Sequence, residues 1–142
     1  MNHHATAVIL GDRGVLIRGR SGAGKTTLAC ALLDMCRAAG RFARLVADDQ
    51  VLLARLGGRL VCRVPESIAG LVEFRGMGPG RTPFEPGMVV DLVVDLVERG
   101  AAPRCPEEDA VALEGGHVPL LVLPEHEIAG PAFVILRKLR FD

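Results

Sequence analysis

The stretch "GRSGAGKTT", Gly19 to Thr27, decides the fold because it matches the phosphate-binding pattern G-x-x-x-x-G-K-S/T in full. The apolar run "VLIR" precedes it, and a stretch with helical periodicity follows, as the pattern requires. The glycines let successive backbone N–H groups point at an anion, and the helix N-terminus adds the positive end of its dipole. We therefore predict a nucleotide-binding loop made of Gly19, Arg20, Ser21, Gly22, Ala23, Gly24, Lys25, Thr26 and Thr27.

Two side chains of this loop carry its chemistry. Lys25 supplies a mobile ammonium group for the β- and γ-phosphates, and Thr26 offers a hydroxyl to Mg²⁺. The alternative is a glycine-rich turn with an incidental lysine. The agreement of pattern and context disfavours that alternative.

The segments around the loop favour short strands with few helices. "TAVIL" and "VLIR", split by "GDRG", predict a hairpin, and "KTTLACALLDMCRAAG" predicts a helix that stops at Gly40. "RLVADD" predicts a strand that ends in two carboxylates. "VLLARLGGRLVCRV" predicts two strands joined by Gly57 and Gly58.

The second half of the chain continues the strand-rich pattern. A helical turn is expected near residues 65–69, followed by an ordered glycine- and proline-rich loop, and "MVVDLVVDLVE" predicts a strand. "CPEEDAVALEGG" suits a short helix with Pro106 in its first turn, and "VPLLVLP" and "AFVILRKL" suit closing strands. We therefore predict a mixed α/β fold, mostly β sheet with few helices, in a single domain over residues 1–142.

Composition narrows the class of protein. The chain has 142 residues, 49% of them hydrophobic, with 17 basic and 17 acidic side chains. It is therefore not a disordered chain, and its charge and lack of Trp and Tyr predict no nucleic-acid partner. The four cysteines form no zinc-binding spacing. Neither a signal peptide nor an apolar run of roughly 20 residues is visible, so we predict a cytoplasmic protein with no membrane partner.

Asp48 and Asp49 end the predicted strand "RLVADD". Proteins with a phosphate loop hold Mg²⁺ with an acidic residue at the end of another core strand. Adjacent side chains point to opposite sides of a continuing strand, so one aspartate can face the metal and the other the acceptor. A solvated turn is the alternative, and the lack of Gly, Asn or Ser beside the pair weakens it.

Together these motifs carry a resemblance to a known family. A histidine, His4, fifteen residues before Gly19, then the glycine loop, "LVADDQV" and "IAGLVEFRGMG", in this order, resemble the catalytic domain of HPr kinase/phosphorylase. The resemblance implies a phosphate-loop domain similar to that of phosphoenolpyruvate carboxykinase. It also implies phosphoryl transfer from ATP or pyrophosphate to a seryl hydroxyl of the phosphocarrier protein HPr, and the reverse phosphorolysis with phosphate, which releases pyrophosphate. Mg²⁺ is the implied cofactor.

The resemblance also assigns roles by matching position. It makes Asp48 the base in the kinase direction and the acid in the reverse one, and His4 its catalytic neighbour. Arg104 is the best positional match for a late catalytic arginine, and Arg99 is the second. The implied metal-binding residues are Thr26, Glu73 and Asp49. Without the resemblance, His4 would be read as a frayed terminal residue and Glu73 as a solvated charge.

The chain also departs from the family pattern. "RTPFEPG" does not continue the signature after Gly78, and "PEHEIAGPA" stands where the family has a stretch like "PGRN". We expect a short form like those of alphaproteobacteria, which lack the N-terminal domain of the long, hexameric members, so a homo-oligomer is an open expectation. Two other functions stay open: a kinase on the same scaffold with another acceptor, and a nucleotide-binding sensor that acts through a partner.

Overall fold

A computed structural model describes residues 1–105 and 108–140. Within these ranges the chain forms eleven strands, two α-helices and two short 3₁₀ turns. The helices are α1 (Lys25–Ala38) and α2 (Ala129–Lys138). The strands are β1 (Asn2–Leu10), β2 (Arg13–Arg18), β3 (Ala43–Ala47), β4 (Gln50–Leu56), β5 (Arg59–Arg63), β6 (Leu71–Phe74), β7 (Gly78–Arg81), β8 (Gly87–Val89), β9 (Leu92–Val97), β10 (Ala110–Leu113) and β11 (Gly116–Pro124).

Nine of these strands form one mixed sheet. Its order is β10-β11-β9-β2-β1-β4-β5-β8, and β3 also pairs with β1. The pairs β2–β9 and β9–β11 are parallel, whereas the other pairs are antiparallel. Strands β6 and β7 form a separate two-stranded hairpin. The prediction of a mixed, strand-dominated α/β fold is therefore confirmed.

Strand β1 sets the position of the functional edge. It pairs antiparallel with β2 through Ala5–Leu10 and antiparallel with β3 through Ala7–Leu10. Since β2 and β3 both run opposite to β1, their carboxyl ends lie at the same edge, beside the amino end of β1. The chain then bends after Ala47, and β4 pairs with β1 at Asn2–His4.

Apolar side chains fill both faces of the sheet. On one face, α1 and α2 bury residues such as Leu28, Leu32 and Ile135 against β1, β2 and β9. On the other face, residues of β4, β5 and β8 pack with those of β1, β2 and β9, which shows that the sheet curls over itself. Burial of both faces gives the loop edge a rigid support.

Several of the predicted elements are confirmed. The first hairpin, the helix after the loop, the strand before the aspartates and the β4–β5 hairpin form as expected. Gly40 adopts a φ of 77°, and Arg41 N–H donates to the Cys36 carbonyl at 2.9 Å, which closes α1 as a glycine C-terminal cap does. The turn near residues 65–69 and the strand "VPLLVLP" also form.

Three predictions for the second half are wrong. "AFVILRKL" lies in α2, because its apolar side chains at Ala132, Ile135 and Leu139 follow a helical spacing and are buried. "DAVALEGG" holds strand β10 rather than a helix, and Pro106 lies outside the described residues. "MVVDLVVDLVE" is two strands, broken at Val90 and Asp91. The segment after residue 70 is ordered as expected, and it contains the β6–β7 hairpin.

Candidate active site

The glycine loop bridges the end of β2 and the start of α1, as predicted. Gly22 and Gly24 have φ values of 83° and 96°, a region that side chains with a Cβ rarely adopt. Lys25 is only 6% exposed, and its Nζ donates to the carbonyl oxygens of Gly19 at 2.9 Å and Arg20 at 3.1 Å. The pKa of the Lys25 ammonium lies below its ordinary value, because the effect of burial is larger than the opposing effect of the nearby negative aspartates.

Asp48 is buried and closely bonded. It follows β3 directly and is 8% exposed. Its Oδ1 accepts hydrogen bonds from the hydroxyls of Thr26, at 2.7 Å, and Thr6, at 3.0 Å. A longer contact of 3.4 Å joins its Oδ2 to the backbone N–H of Glu73. These contacts fix the Asp48 carboxylate against the hydroxyl that the sequence assigns to a metal.

Asp49 is far more accessible than Asp48. Its side chain is 64% exposed, and its φ of 75° lies in the left-handed region, which Asp tolerates better than most residues. Its Oδ1 pairs with Nε2 of His4, whose side chain is 46% exposed. Its carbonyl accepts the N–H of Ala5 at 3.0 Å, so the bend between β3 and β4 is tied to β1. The two aspartates therefore differ in exposure and in partners, and His4 pairs with Asp49 rather than with Asp48, the neighbour that the resemblance gave it.

The loop, the aspartates and the β6–β7 hairpin enclose one cavity of about 540 Å³. Ser21, Gly22, Gly24, Lys25, Thr26, Thr27, Asp48, Asp49, Glu73, Phe74, Arg75, Gly76 and Gly78 line it. The cavity thus combines loop amides, a buried ammonium and three carboxylates on its wall. Such a wall can bind phosphates, hold a hard cation and accept a proton.

The oxygen atoms on the cavity wall suit a Mg²⁺ ion that the protein and the substrate phosphates would bind together. Its oxygen donors are the Thr26 hydroxyl and the carboxylates of Asp48, Asp49 and Glu73. Among the described residues, no three acidic, histidine or cysteine side chains gather closely enough to hold a metal by themselves. Mg²⁺ is typically held by one or two carboxylates together with substrate phosphates, so this donor set suits it.

Other predicted site residues lie elsewhere. Arg104 is exposed and does not line the cavity, and its role remains a prediction. Gly19 and Arg20 contribute carbonyl oxygens to Lys25 rather than cavity wall. The sequence analysis missed Thr6, which is fully buried on β1 and bonds Asp48. Its signal was present, since alternate residues share a face of a strand and Thr6 lies two positions after His4.

Among the residues that the structure describes, no helix is long and apolar enough to cross a membrane.

Known proteins resemble this chain in sequence and in structure. The family model for the HPr serine kinase C-terminal domain matches residues 1–100. An HPr kinase/phosphorylase of Cupriavidus necator is 37% identical over an alignment 123 residues long, which covers 81% of this chain and 35% of that protein. One from Clostridium perfringens is 40% identical over 75 residues, 53% of this chain and 22% of that protein.

A solved structure shares the fold. The HPr(Ser) kinase/phosphatase from Coxiella burnetii matches with a TM-score of 0.80 and 25% sequence identity, covering 99% of this chain and 88% of that chain. The matched segment is only 35% of the Cupriavidus relative, so this chain corresponds to about a third of such a protein. The family model nevertheless covers most of the chain, including the loop, the aspartate pair and the β6–β7 hairpin that form the cavity. The chain therefore belongs to the HPr serine kinase C-terminal domain family.

Proposed function

We propose that this protein transfers a phosphoryl group from ATP or pyrophosphate to a seryl hydroxyl of an HPr-type phosphocarrier protein, and reverses the transfer with phosphate. The observation that carries the proposal is the single cavity shared by the glycine loop, Asp48, Asp49 and Glu73. Phosphoryl transfer needs donors for the phosphates, oxygen ligands for Mg²⁺ and a carboxylate near the acceptor hydroxyl. The cavity wall carries Lys25 and loop amides, the Thr26 hydroxyl and three carboxylates, which support this assignment.

The loop side of the cavity binds the phosphates. The N-terminus of α1 offers its backbone N–H groups to an anion, and Lys25 adds a positive charge beside them. Because Lys25 already bonds two loop carbonyls, it lies near the phosphate position before any ligand arrives. Mg²⁺, held by Thr26, Asp48 and Glu73, would supply charge neutralisation for the phosphates.

The geometry favours exchanging the roles that the resemblance gave to the two aspartates. Asp48 is buried, and its Oδ1 already accepts the Thr26 and Thr6 hydroxyls, which suits a carboxylate on the metal side. Asp49 is exposed to the cavity and has one side-chain partner, His4, which suits a residue that must reach an incoming hydroxyl. We therefore propose Asp49 as the general base in the kinase direction and the general acid in the reverse direction.

The proton and bond changes follow from this assignment. The seryl oxygen forms a bond to the γ-phosphorus as the bond from that phosphorus to the bridging oxygen breaks, and Asp49 accepts the hydroxyl proton. In the reverse direction an oxygen of phosphate forms a bond to the phosphoserine phosphorus as the bond from that phosphorus to the seryl oxygen breaks. Asp49 returns a proton to the seryl oxygen, and the pyrophosphate that has formed leaves. His4 orients Asp49 through their hydrogen bond.

The cytoplasmic location, the single-domain organisation and a homo-oligomeric state belong to the same proposal.

One experiment tests the proposed reaction in both directions. The protein is incubated with Mg²⁺, ATP and HPr from the same organism, and seryl phosphorylation is followed by mass spectrometry. Phosphate is then added and the release of pyrophosphate is measured. We expect transfer in both directions, and loss of both in Lys25→Ala together with weaker ATP binding. Absence of transfer to HPr by a folded, nucleotide-binding protein would overturn the proposal.

A further inference from the structure

The turn between β11 and α2 contacts the outer side of the glycine loop. Glu125 follows β11 directly, and its N–H donates to the Val97 carbonyl at 2.8 Å. Its carboxylate is only 5% exposed. It lies far from the aspartate pair in the sequence. Both of its oxygens accept hydrogen bonds from Arg20, including one from Nε at 3.0 Å. A buried carboxylate thus bonds an arginine of the phosphate loop, and Nε2 of His126 lies 3.7 Å from its Oε1.

A second contact joins the same turn to the other half of the loop. The backbone N–H of His126 donates to the Ala23 carbonyl at 3.1 Å. His126 has a φ of 63°, a conformation that costs a residue with a Cβ about 1 kcal/mol or more. This unfavourable backbone conformation indicates that the contacts with the loop constrain the turn. The turn therefore holds the loop at Arg20 and at Ala23.

The two contacts meet at the peptide that positions the lysine. The Arg20 carbonyl accepts the N–H of Ala23 at 3.1 Å and Nζ of Lys25 at 3.1 Å. Fixing the Arg20 side chain from outside and Ala23 from the turn therefore restrains the carbonyl to which Lys25 is bonded. Residues that never face the cavity can in this way set the geometry of the phosphate site.

We propose that Glu125, with the backbone of His126, is a positioning residue that holds the glycine loop in its phosphate-binding shape through Arg20. The inference deepens the proposed function, because it assumes that the loop binds phosphates. The hydrogen bond from Arg20 also lowers the pKa of the Glu125 carboxyl, so the pair stays charged at neutral pH. The Arg20–Glu125 pair orders the loop before a ligand binds, so the loop loses less conformational entropy on binding.

The test uses single and paired substitutions with a matched control. Glu125→Gln keeps the shape of the side chain and removes its charge, and Arg20→Gln removes the other partner. Glu127→Gln is the control, since it breaks an exposed ion pair with Arg99, of 3.0 Å, on the same turn and touches no loop residue. Dissociation constants are measured for pyrophosphate and for Mg²⁺–ATP, together with melting temperatures.

We expect Glu125→Gln and Arg20→Gln each to weaken pyrophosphate binding about tenfold, the effect of losing one charge-assisted bond. The double variant should be no weaker than either single variant, because both substitutions remove the same interaction. Glu127→Gln should bind as the wild type does. Wild-type affinity in Glu125→Gln would overturn the proposal. Tighter binding would also overturn it, since it would mean that Glu125 withholds Arg20 from the phosphates.

A measurement without ligand separates this inference from the proposed function. Amide hydrogen exchange across residues 20–25 should be faster in Glu125→Gln than in the wild type and in Glu127→Gln. If the wild type binds no phosphate compound, the proposed function fails, and exchange alone decides whether the loop is held. Equal exchange rates in all three proteins would refute the positioning role.

Discussion

Replacing each aspartate of the pair by asparagine tests the division of labour between them. In Asp48→Asn the neutral oxygen can still accept the Thr6 and Thr26 hydroxyls, but the bonds lose their charge assistance. A hydrogen bond to a charged group contributes about 1 kcal/mol more than a neutral one, so two weakened bonds cost about 2 kcal/mol. For a protein of this size that is a fall in melting temperature of about 6 °C.

Asp49→Asn should behave in the opposite way. The side chain is 64% exposed and has one partner, so the loss of free energy of unfolding is about 0.5 kcal/mol. Asparagine also tolerates the left-handed backbone at this position. Phosphoryl transfer should nevertheless fall by about 10²- to 10⁴-fold, because the proton acceptor is gone, whereas the affinity for Mg²⁺–ATP stays close to that of the wild type.

Thermal unfolding, calorimetric titration with Mg²⁺–ATP and single-turnover transfer to HPr measure these three quantities on the same samples. Asp48→Asn should weaken the Mg²⁺-dependent part of ATP binding, which titration with and without the metal isolates. The reasoning is refuted if Asp48→Asn binds Mg²⁺–ATP normally and loses transfer while Asp49→Asn transfers at the wild-type rate. That result would restore Asp48 as the base.

Two further predictions concern the support of the site. Gly14→Ala should lower the free energy of unfolding by about 3 kcal/mol, because an added Cβ would lie 1.9 Å from a carbonyl oxygen of β8. The control is Gly100→Ala, where an added Cβ would meet nothing within 4 Å, so the melting temperature should stay unchanged. Equal melting temperatures for the two variants would contradict this close approach. Burial raises the pKa of Cys62 to about 12, so at pH 8 only about one thiol in 10⁴ is ionised and a disulfide reagent should modify it only after unfolding. Rapid labelling of Cys62 in the folded protein would show that the curled sheet is open.

The first half of the fold follows from local signals in the sequence. The glycine pattern, the helical spacing of Leu28 and Leu32, and Gly40 as a stop agree with one another over neighbouring residues. In the second half the local signals conflict. "AFVILRKL" is rich in apolar and β-branched residues, but burial of Ala132 and Ile135 against the other helix decides for α2. That contact joins segments about a hundred residues apart, so no window of sequence contains it.

The site shows the same division between local and distant information. Both aspartates could be recognised from "LVADDQV", since the chemistry needs acids after a core strand. Their different exposures depend on the bend between β3 and β4, which pairing with β1 at Ala5 and His4 imposes. Glu125 gave no recognisable signal, because its partner Arg20 lies 105 residues away and a single glutamate is usually a solvated charge.

Sheet topology explains why acids meet the glycine loop from two sides. Strands β2, β9 and β11 are parallel neighbours, and β3 runs in the same direction across β1, so the carboxyl ends of all four lie at one edge. The loop follows β2, Asp48 follows β3, and Glu125 follows β11. Because β3 and β11 lie on opposite sides of β2, one acid reaches the cavity side of the loop and the other its outer side. Two carboxylates thus have different roles because of their positions in the sheet. Asp48, on the cavity side, bonds the hydroxyl of Thr26. Glu125, on the outer side, neutralises Arg20 and restrains the peptide that holds Lys25.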